Sequence, residues 1–310
     1  SGFEPTTVLK GVMKTGTKGA LLRKVLVVFQ FAISVMLIAA SFVVYSQIGY
    51  MRSQELGFDK EQVVVIPTRG IPDIGQRYES VKDALRSKAV VLSVSASAQV
   101  PGRGANNIVV LPEGSESTRT MRTIGVDHDF VETFSLEMAA GRDLSTDFST
   151  DASEGFMINE AAVSDLGWGT AEDAVGKEFE WGLGKKGQVV GVVKDFHYTS
   201  LVEQVHPVVM HVIPGWFNYI SVRIAPGDVS ESVATLETAW KSLVPNRPFE
   251  YFFLDEDFDR QYRAFDQVGS IFTTFSGLAI LIACLGLFGL VSFTTELRTK
   301  EIGVRKVLGG

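Results

Sequence analysis

VLVVFQFAISVMLIAASFVVY, residues 25–45, decides the architecture of this chain. It lies in a longer stretch, residues 25–51, without a charged side chain. A helix rises ~1.5 Å per residue, so about 20 residues cross a hydrocarbon core of roughly 30 Å. Gln30, Ser34 and Ser41 are mildly polar and can bond within the helix or to a neighbouring one. A second uncharged stretch covers residues 267–295, centred on FSGLAILIACLGLFGLVSF at 275–293. Both are expected to be transmembrane helices, since buried core helices seldom run this long without a charge. A signal peptide is rejected for the first. It is too long for an h-region, about two dozen residues precede it, and Tyr45-Ser46-Gln47 is a poor cleavage site.

The flanks orient the two spans. Before the first lie Lys10, Lys14, Lys18, Arg23 and Lys24 against Glu4, a sum of +4. After the second lie Arg298, Lys300, Arg305 and Lys306 against Glu296 and Glu301, a sum of +2. With a formal charge of −7 overall, the residues between carry −13. Positive flanks stay cytoplasmic, so residues 46–266 are expected to form an acidic domain outside the cytoplasm. The absence of a global positive field argues against nucleic acid as a partner. A single cysteine, Cys284, excludes an intramolecular disulfide and a Cys-based zinc site. The 310 residues read as an excerpt of a longer polypeptide, for they do not begin with Met and stop just after a basic segment.

Within the outer domain one pattern occurs twice. Residues 62–66 (QVVVI) form an apolar run closed by Pro67, residues 73–88 place Tyr78, Val81 and Leu85 on one helical face, and residues 90–98 alternate apolar and small polar side chains. Near the end, residues 219–225 (YISVRIA) alternate, and Val229, Val233, Leu236, Trp240 and Leu243 make a helical stripe. Residues 249–254 then supply a returning strand. Strand–helix–strand twice over predicts a split α+β sandwich. Residues 102–213 are richer in Gly, Ser and Thr, with strands expected at 108–111, 120–126, 188–193 and 208–213 and a helix at 159–166: a small β-rich insertion. Leu254, Phe258, Tyr262 and Phe265 recur at helical spacing, which extends the second span outward as a stalk.

Chemical motifs are sparse. Gly11-Val-Met-Lys-Thr-Gly16-Thr-Lys18 lacks the Gly-Lys-Ser/Thr order of a P-loop and follows no buried strand, so it reads as a basic juxtamembrane segment and this chain shows no ATPase site. Gly182-Leu-Gly184-Lys-Lys-Gly187 matches G-x-G-x-x-G but runs into a strand rather than a helix, which reads as a hairpin turn. His206 and His211 flank Pro207 and do not share a helix face as a metal pair would. Asp127-His128-Asp129 and Asp195-Phe196-His197 read as structural pairs rather than acid–base machinery. The acidic run Asp255, Glu256, Asp257 and Asp259 reads as a helix start, where acids are favoured. No catalytic, cofactor or metal residue is assigned.

The most specific string follows the second span: Glu296-Leu-Arg298-Thr-Lys300-Glu301-Ile302-Gly303-Val304-Arg305-Lys306-Val307-Leu308-Gly309. It resembles the cytoplasmic signature of the MacB/FtsX-like family of ABC-transporter permeases. Residues 23–34 (RKVLVVFQFAIS) are similar to the entry helix of that family. The strings at 57–59 (GFD), 126–130 (VDHDF), 140–143 (AGRD) and 191–197 (GVVKDFH) are similar to recurring strings of its periplasmic core domain. The resemblance covers nearly the whole chain and is greatest to the second half of a duplicated permease.

The resemblance implies an α+β extracytoplasmic domain, with porter-like βαβ halves at 46–101 and 214–266 and an inserted β-rich subdomain at 102–213. Transmembrane α-helices at 25–45 and 267–295 flank it, with cytoplasmic segments at 1–24 and 296–310. It also implies that Glu296, Arg298, Lys300, Glu301, Ile302, Gly303, Arg305 and Lys306 couple to a separate cytoplasmic ABC ATPase, which would hold the ATP and Mg that this chain lacks. The further partners implied are membrane lipid, a second permease copy or half, and a periplasmic adaptor. The location implied is the bacterial inner membrane, and the role is transmission of ATP-driven change for export, lipoprotein release or envelope regulation. A two-span membrane sensor with an outer ligand-binding domain has the same topology and stays open as the alternative. A membrane-anchored hydrolase is disfavoured by the lack of a catalytic constellation.

Overall fold

Val63, Val64, Val65 and Ile66 are all fully buried, because the strand they form is covered on both faces, which turns the usual alternation into a continuous apolar run. The structure, a computed structural model, describes residues 15–53, 55–181, 185–199 and 203–307. These divide into two units, one within Ser1–Ser53 and Tyr262–Gly310 and the other within Gln54–Gln261.

The second unit begins with β1 (Val63–Pro67), α1 (Ile74–Arg86) and β2 (Val91–Ser97). It closes with β10 (Tyr219–Ile224), α6 (Val229–Leu243), β11 (Phe252–Phe253) and the start of α7 (Leu254–Val307). The strands line up as β11-β1-β10-β2, every neighbouring pair antiparallel. β1 and β2 are therefore parallel with β10 between them, and β10 and β11 are parallel with β1 between them. These are two interlocked split βαβ units, a ferredoxin-like sheet, where the sequence suggested two separate halves. Val64, Ile66, Val94, Ala96, Ile220 and Val222 pack against Tyr78, Val81, Leu85, Leu236 and Trp240 of the two helices. The returning strand is shorter than the expected 249–254. Only Phe252 and Phe253 join the ladder, because Phe249 stacks on Tyr251 at 5.2 Å and Leu254 already begins a helix.

Between β2 and β10 the chain builds β3 (Asn106–Pro112), β4 (Arg119–Val126), α2 (Phe130–Phe134), β5 (Met138–Gly141), α3 (Asp151–Glu154) and β6 (Gly155–Asn159). There follow α4 (Glu160–Leu166), α5 (Ala171–Ala174), β7 (Glu178–Trp181), β8 (Lys185–Val193) and β9 (Val208–Val212). The four strands expected here are present, and β5, β6 and β7 are additional. The ladders run β4-β3-β7-β8-β6-β9, and β9 pairs in parallel with β4, so six strands close into a ring without a free edge. Ile108, Val110, Phe156, Phe179, Trp181 and Val209 form one core of this ring. The insertion is not a separate body: it belongs to the same unit as the four-stranded sheet. The ladder between them is one residue pair, Ser97↔Val126, and a second core joins them through Val63, Val65, Ile124, Val126, Phe130, Phe134, Met210 and Phe258.

The other unit consists of α7 beyond residue 261 and a 39-residue helix, Thr15–Ser53, here αN. Each holds a segment long and apolar enough to cross a membrane, Val25–Tyr50 and Asp266–Glu296. Both helices outrun the expected spans. Most of their apolar side chains are open to the surroundings, with Met36 70%, Phe42 75% and Phe288 73% exposed. A water-soluble core helix would hide them. Ser34, Ser41, Thr273 and Thr274 each donate to the carbonyl four residues back, at 2.8–2.9 Å, so these hydroxyls are satisfied within their own helices. Ser41 Oγ and Ser276 Oγ lie 3.0 Å apart across the helix pair, and Thr273 Oγ1 and Tyr45 Oη lie 3.2 Å apart.

Candidate functional site

The segment singled out for coupling is helical. α7 continues past its apolar stretch without a break to Val307, because 296–307 contains good helix formers and no proline. Glu296, Arg298, Ile302, Gly303 and Lys306 are exposed there. Positions 298, 302 and 306 recur every four residues and so share one helix face. The side chains of Lys300, Glu301 and Arg305 lie outside the described residues, as do Leu308 and Gly309 altogether. So do Gly11 and Lys14 of the juxtamembrane motif and Gly182 and Gly184 of the G-x-G-x-x-G string. β7 and β8 on either side of the latter pair antiparallel, as a hairpin requires.

The opposite end of α7 is rooted in the outer unit. Leu254 and Phe258 are 0% and 1% exposed, within the core that also holds Phe58, Val63 and Phe130. Two acids of the run 255–259 are paired. Asp257 accepts two hydrogen bonds from the Arg103 guanidinium, at 2.9 and 2.7 Å, and Asp259 accepts one from Lys60 at 3.1 Å. The Arg103 guanidinium also lies 4.0 Å from the centre of the Phe252 ring. A bidentate pair stacked on an aromatic face fixes both partners in direction as well as distance.

A buried charge cluster ties the ring to the four-stranded sheet. Lys82 lies on the apolar face of α1, four residues after Tyr78 and three before Leu85, and is only 1% exposed. Its Nζ donates to Asp127 Oδ2 at 2.5 Å and to Asp129, and Arg86 pairs with Asp129 at 2.7 Å. Asp127 also accepts from Ser95 Oγ at 2.7 Å and from Ala96 N–H at 2.8 Å, so it caps the edge of β2 that β10 does not cover. Burial works against the Lys82 ammonium. The charge and hydrogen bonds of Asp127 and Asp129 overcome that and hold its pKa above the ordinary value. Burial likewise opposes Asp129 as an anion, but Lys82 and Arg86 keep its carboxyl below the usual range. Among the described residues, the nearby Asp143 carboxyl has no hydrogen bond from a cationic side chain. Burial, with the charges of Asp127, Asp129 and Glu132, pushes its pKa up to about 7 against one bond from Leu144 N–H.

The family-like strings prove to be architecture. Asp59 accepts from Arg223 Nη1 at 2.7 Å. Arg142 binds Asp151 at 2.5 and 2.8 Å and lies 3.6 Å from the Phe148 ring centre. Asp195 accepts from Asn159 Nδ2 at 2.7 Å and from Ala161 N–H at 2.9 Å, at the start of α4. A side chain at Gly191 would fall 2.1 Å from the Arg142 carbonyl, so that strand passes too close for any other residue. Of the histidines, His206 is exposed and His211 is buried among Phe156, Trp181 and Trp216. Among the described residues no group of His, Cys, Asp and Glu is arranged to hold a metal ion.

Sequence reasoning passed over Lys82, Arg103 and Asn159. A lysine on the apolar face of an amphipathic helix was a usable signal for Lys82; nothing local marks Arg103, whose partner is 154 residues away.

Three solved structures resemble the chain. The periplasmic region of MacB from Actinobacillus actinomycetemcomitans aligns at 15% identity and TM-score 0.48, over 67% of this chain and 95% of that one. The extracellular domain of the noncanonic ABC-type transporter YknZ from Gram-positive bacteria aligns at 12% identity and TM-score 0.44, over 61% and 97%. A domain of a permease protein from Porphyromonas gingivalis aligns at 15% and TM-score 0.41, over 60% and 86%. No curated protein matches. The sequence profile of the MacB-like periplasmic core domain matches residues 25–237. The match spans the first apolar segment, the ring and most of the four-stranded sheet, and the chain belongs to the MacB-like periplasmic core domain family of ABC-type permeases.

Proposed function

We propose that this chain is part of a permease subunit of the MacB/FtsX-like type in the bacterial cytoplasmic membrane, with its outer domain in the periplasm. In this reading a separate cytoplasmic ABC ATPase binds ATP and Mg, and its rearrangement is passed through the chain to the outer domain. Export, lipoprotein release and control of envelope enzymes are the outcomes such a transmitter serves. Membrane lipid surrounds the two spans. A second permease copy or half and a periplasmic adaptor complete the assembly.

One observation carries the proposal. α7 is a single unbroken helix whose first residues, Leu254 and Phe258, are core residues of the outer unit and whose last turns contain Arg298, Ile302 and Lys306. In this reading a displacement at the cytoplasmic end of α7 is passed along the helix to the outer unit. No partner nucleotide site is needed in this chain for that role.

The test is reversal of charge at the cytoplasmic end. Arg298→Glu with Lys306→Glu, in the whole permease reconstituted with its ATPase in lipid nanodiscs, is expected to abolish permease-dependent stimulation of ATP hydrolysis while the complex still assembles. Full stimulation by that variant overturns the coupling role.

A further inference from the structure

The ring and the four-stranded sheet share a broad apolar contact, yet their backbone ladder is one residue pair, Ser97↔Val126. Apolar packing is non-directional. Val63, Val65, Ile124, Val126 and Phe130 hold the two parts together without dictating the angle between them. Several directional contacts cross the junction, among them Ala98 N–H to Gly125 O at 2.7 Å, Asp59 N–H to Phe134 O at 2.8 Å and Arg223 Nε to Thr133 O at 2.9 Å. The buried charge pairs among them centre on Asp127, whose N–H donates to Ala96 O at 3.0 Å and whose carboxylate accepts from Ala96 N–H, Ser95 and Lys82.

Lys82 comes from α1, on the helix-covered side of the sheet, and meets carboxylates that follow β4 of the ring. Its Nζ also lies 5.5 Å from the Tyr78 ring centre and 3.8 Å from Glu79. Stripping water from buried charges offsets most of their attraction, so such a cluster is a poor source of stability. What it imposes is geometry, because a misplaced ring would leave an ammonium and a carboxylate buried apart.

We propose that Lys82, Asp127 and Asp129 act as an orientation pin, setting the angle at which the ring sits on the sheet while the shared apolar core supplies the cohesion. The pin makes two parts joined by a narrow ladder move as one body. It is independent of what the outer domain binds.

The experiment uses the full chain in lipid nanodiscs, with Cys284→Ser and spin labels on Ser164→Cys in α4 and Thr238→Cys in α6, both exposed positions. Pulsed dipolar spectroscopy reads the distance between the two labels, and a thermal melt reads cohesion. The parent is expected to give one narrow distance peak, and Lys82→Arg to keep it. The neutral triple variant Lys82→Met/Asp127→Asn/Asp129→Asn leaves no buried charge unpaired, and its amide at 127 can still accept from Ala96 N–H. It is expected to melt within a few degrees of the parent or above it, with a distance distribution at least twofold broader or a second peak. An unchanged narrow peak overturns the proposal. So does loss of folding in the triple variant, which would make the cluster a source of stability rather than orientation.

Discussion

Gly102 and Phe258 compete for one space: a methyl group at Gly102 would lie 2.3 Å from Cε2 of the Phe258 ring. Gly102 also has φ +84°, where an L side chain is strained. The turn that ends the β2 connection and the first turns of α7 are therefore fitted to each other. Gly102→Ala is expected to destabilise the outer unit by about 2–4 kcal/mol through overpacking and strain, read as a lower midpoint in denaturant. A midpoint equal to the parent would show that Phe258 is free to move aside.

Arg103 and Asp257 should be coupled energetically. Their bidentate bonds are partly shielded, with Asp257 at 9% exposure. A double-mutant cycle with Arg103→Met and Asp257→Asn is expected to give an interaction energy of about 1–3 kcal/mol. A value near zero would mean that the stacking on Phe252, not the ion pair, holds Arg103 in place.

Asn159 uses its whole amide. Nδ2 donates to Asp195 and to the His206 carbonyl, and Oδ1 accepts from Ala162 N–H and Val208 N–H. The side chain thus caps α4 and splices β6 to the loop before β9. Asn159→Ala strands buried donors on two elements and is expected to cost about 3 kcal/mol. Hydrogen exchange should be fastest to respond at the amides of 162 and 208, and unchanged rates there would contradict this.

Asp143 gives the outer unit a pH dependence. Its carboxyl is raised from 3.8 to about 7 by burial and by the facing acids, so the folded state holds a proton that the unfolded chain releases. Its stabilising effect is complete below pH 3.8 and is lost as pH rises through about 7. Asp143→Asn is expected to remove this loss, gaining on the order of 2 kcal/mol at pH 8 relative to the parent after allowance for partial solvent access. The gap between parent and variant should narrow steadily as pH falls from about 8 toward about 4; a gap independent of pH would rule the residue out as the source.

Topology is open to chemistry in intact cells. In a Cys284→Ser background a membrane-impermeant maleimide is expected to label Thr238→Cys, whereas in the parent chain Cys284, on the uncharged part of α7, is expected to stay unlabelled. Labelling of Thr238→Cys only after the cytoplasmic membrane is opened would place the domain on the wrong side.

The repeated strand–helix–strand pattern shows how far local sequence reaches. Val63 to Ile66, the Tyr78/Val81/Leu85 face and the Leu236/Trp240 stripe are legible because each element carries its own periodicity. That β10 slides between β1 and β2 is not legible, since pairing joins residues more than a hundred positions apart, such as Val64 and Val222. β6 was overlooked because GFMIN is short, fully buried and directly followed by a helix, which hides its period. The strings similar to the family's core domain were visible from the start, but only their contacts show that they hold the fold together.

Length and hydropathy by themselves determined the two membrane segments, because the thickness of a hydrocarbon layer is a local requirement that each stretch meets alone. The sign of the flanking charges likewise stands in the sequence. The tertiary structure alone decided that six strands close into a ring and that Lys82 meets Asp127. Both depend on which distant segments meet, and a buried charge acquires its partner only when the chain has folded around it.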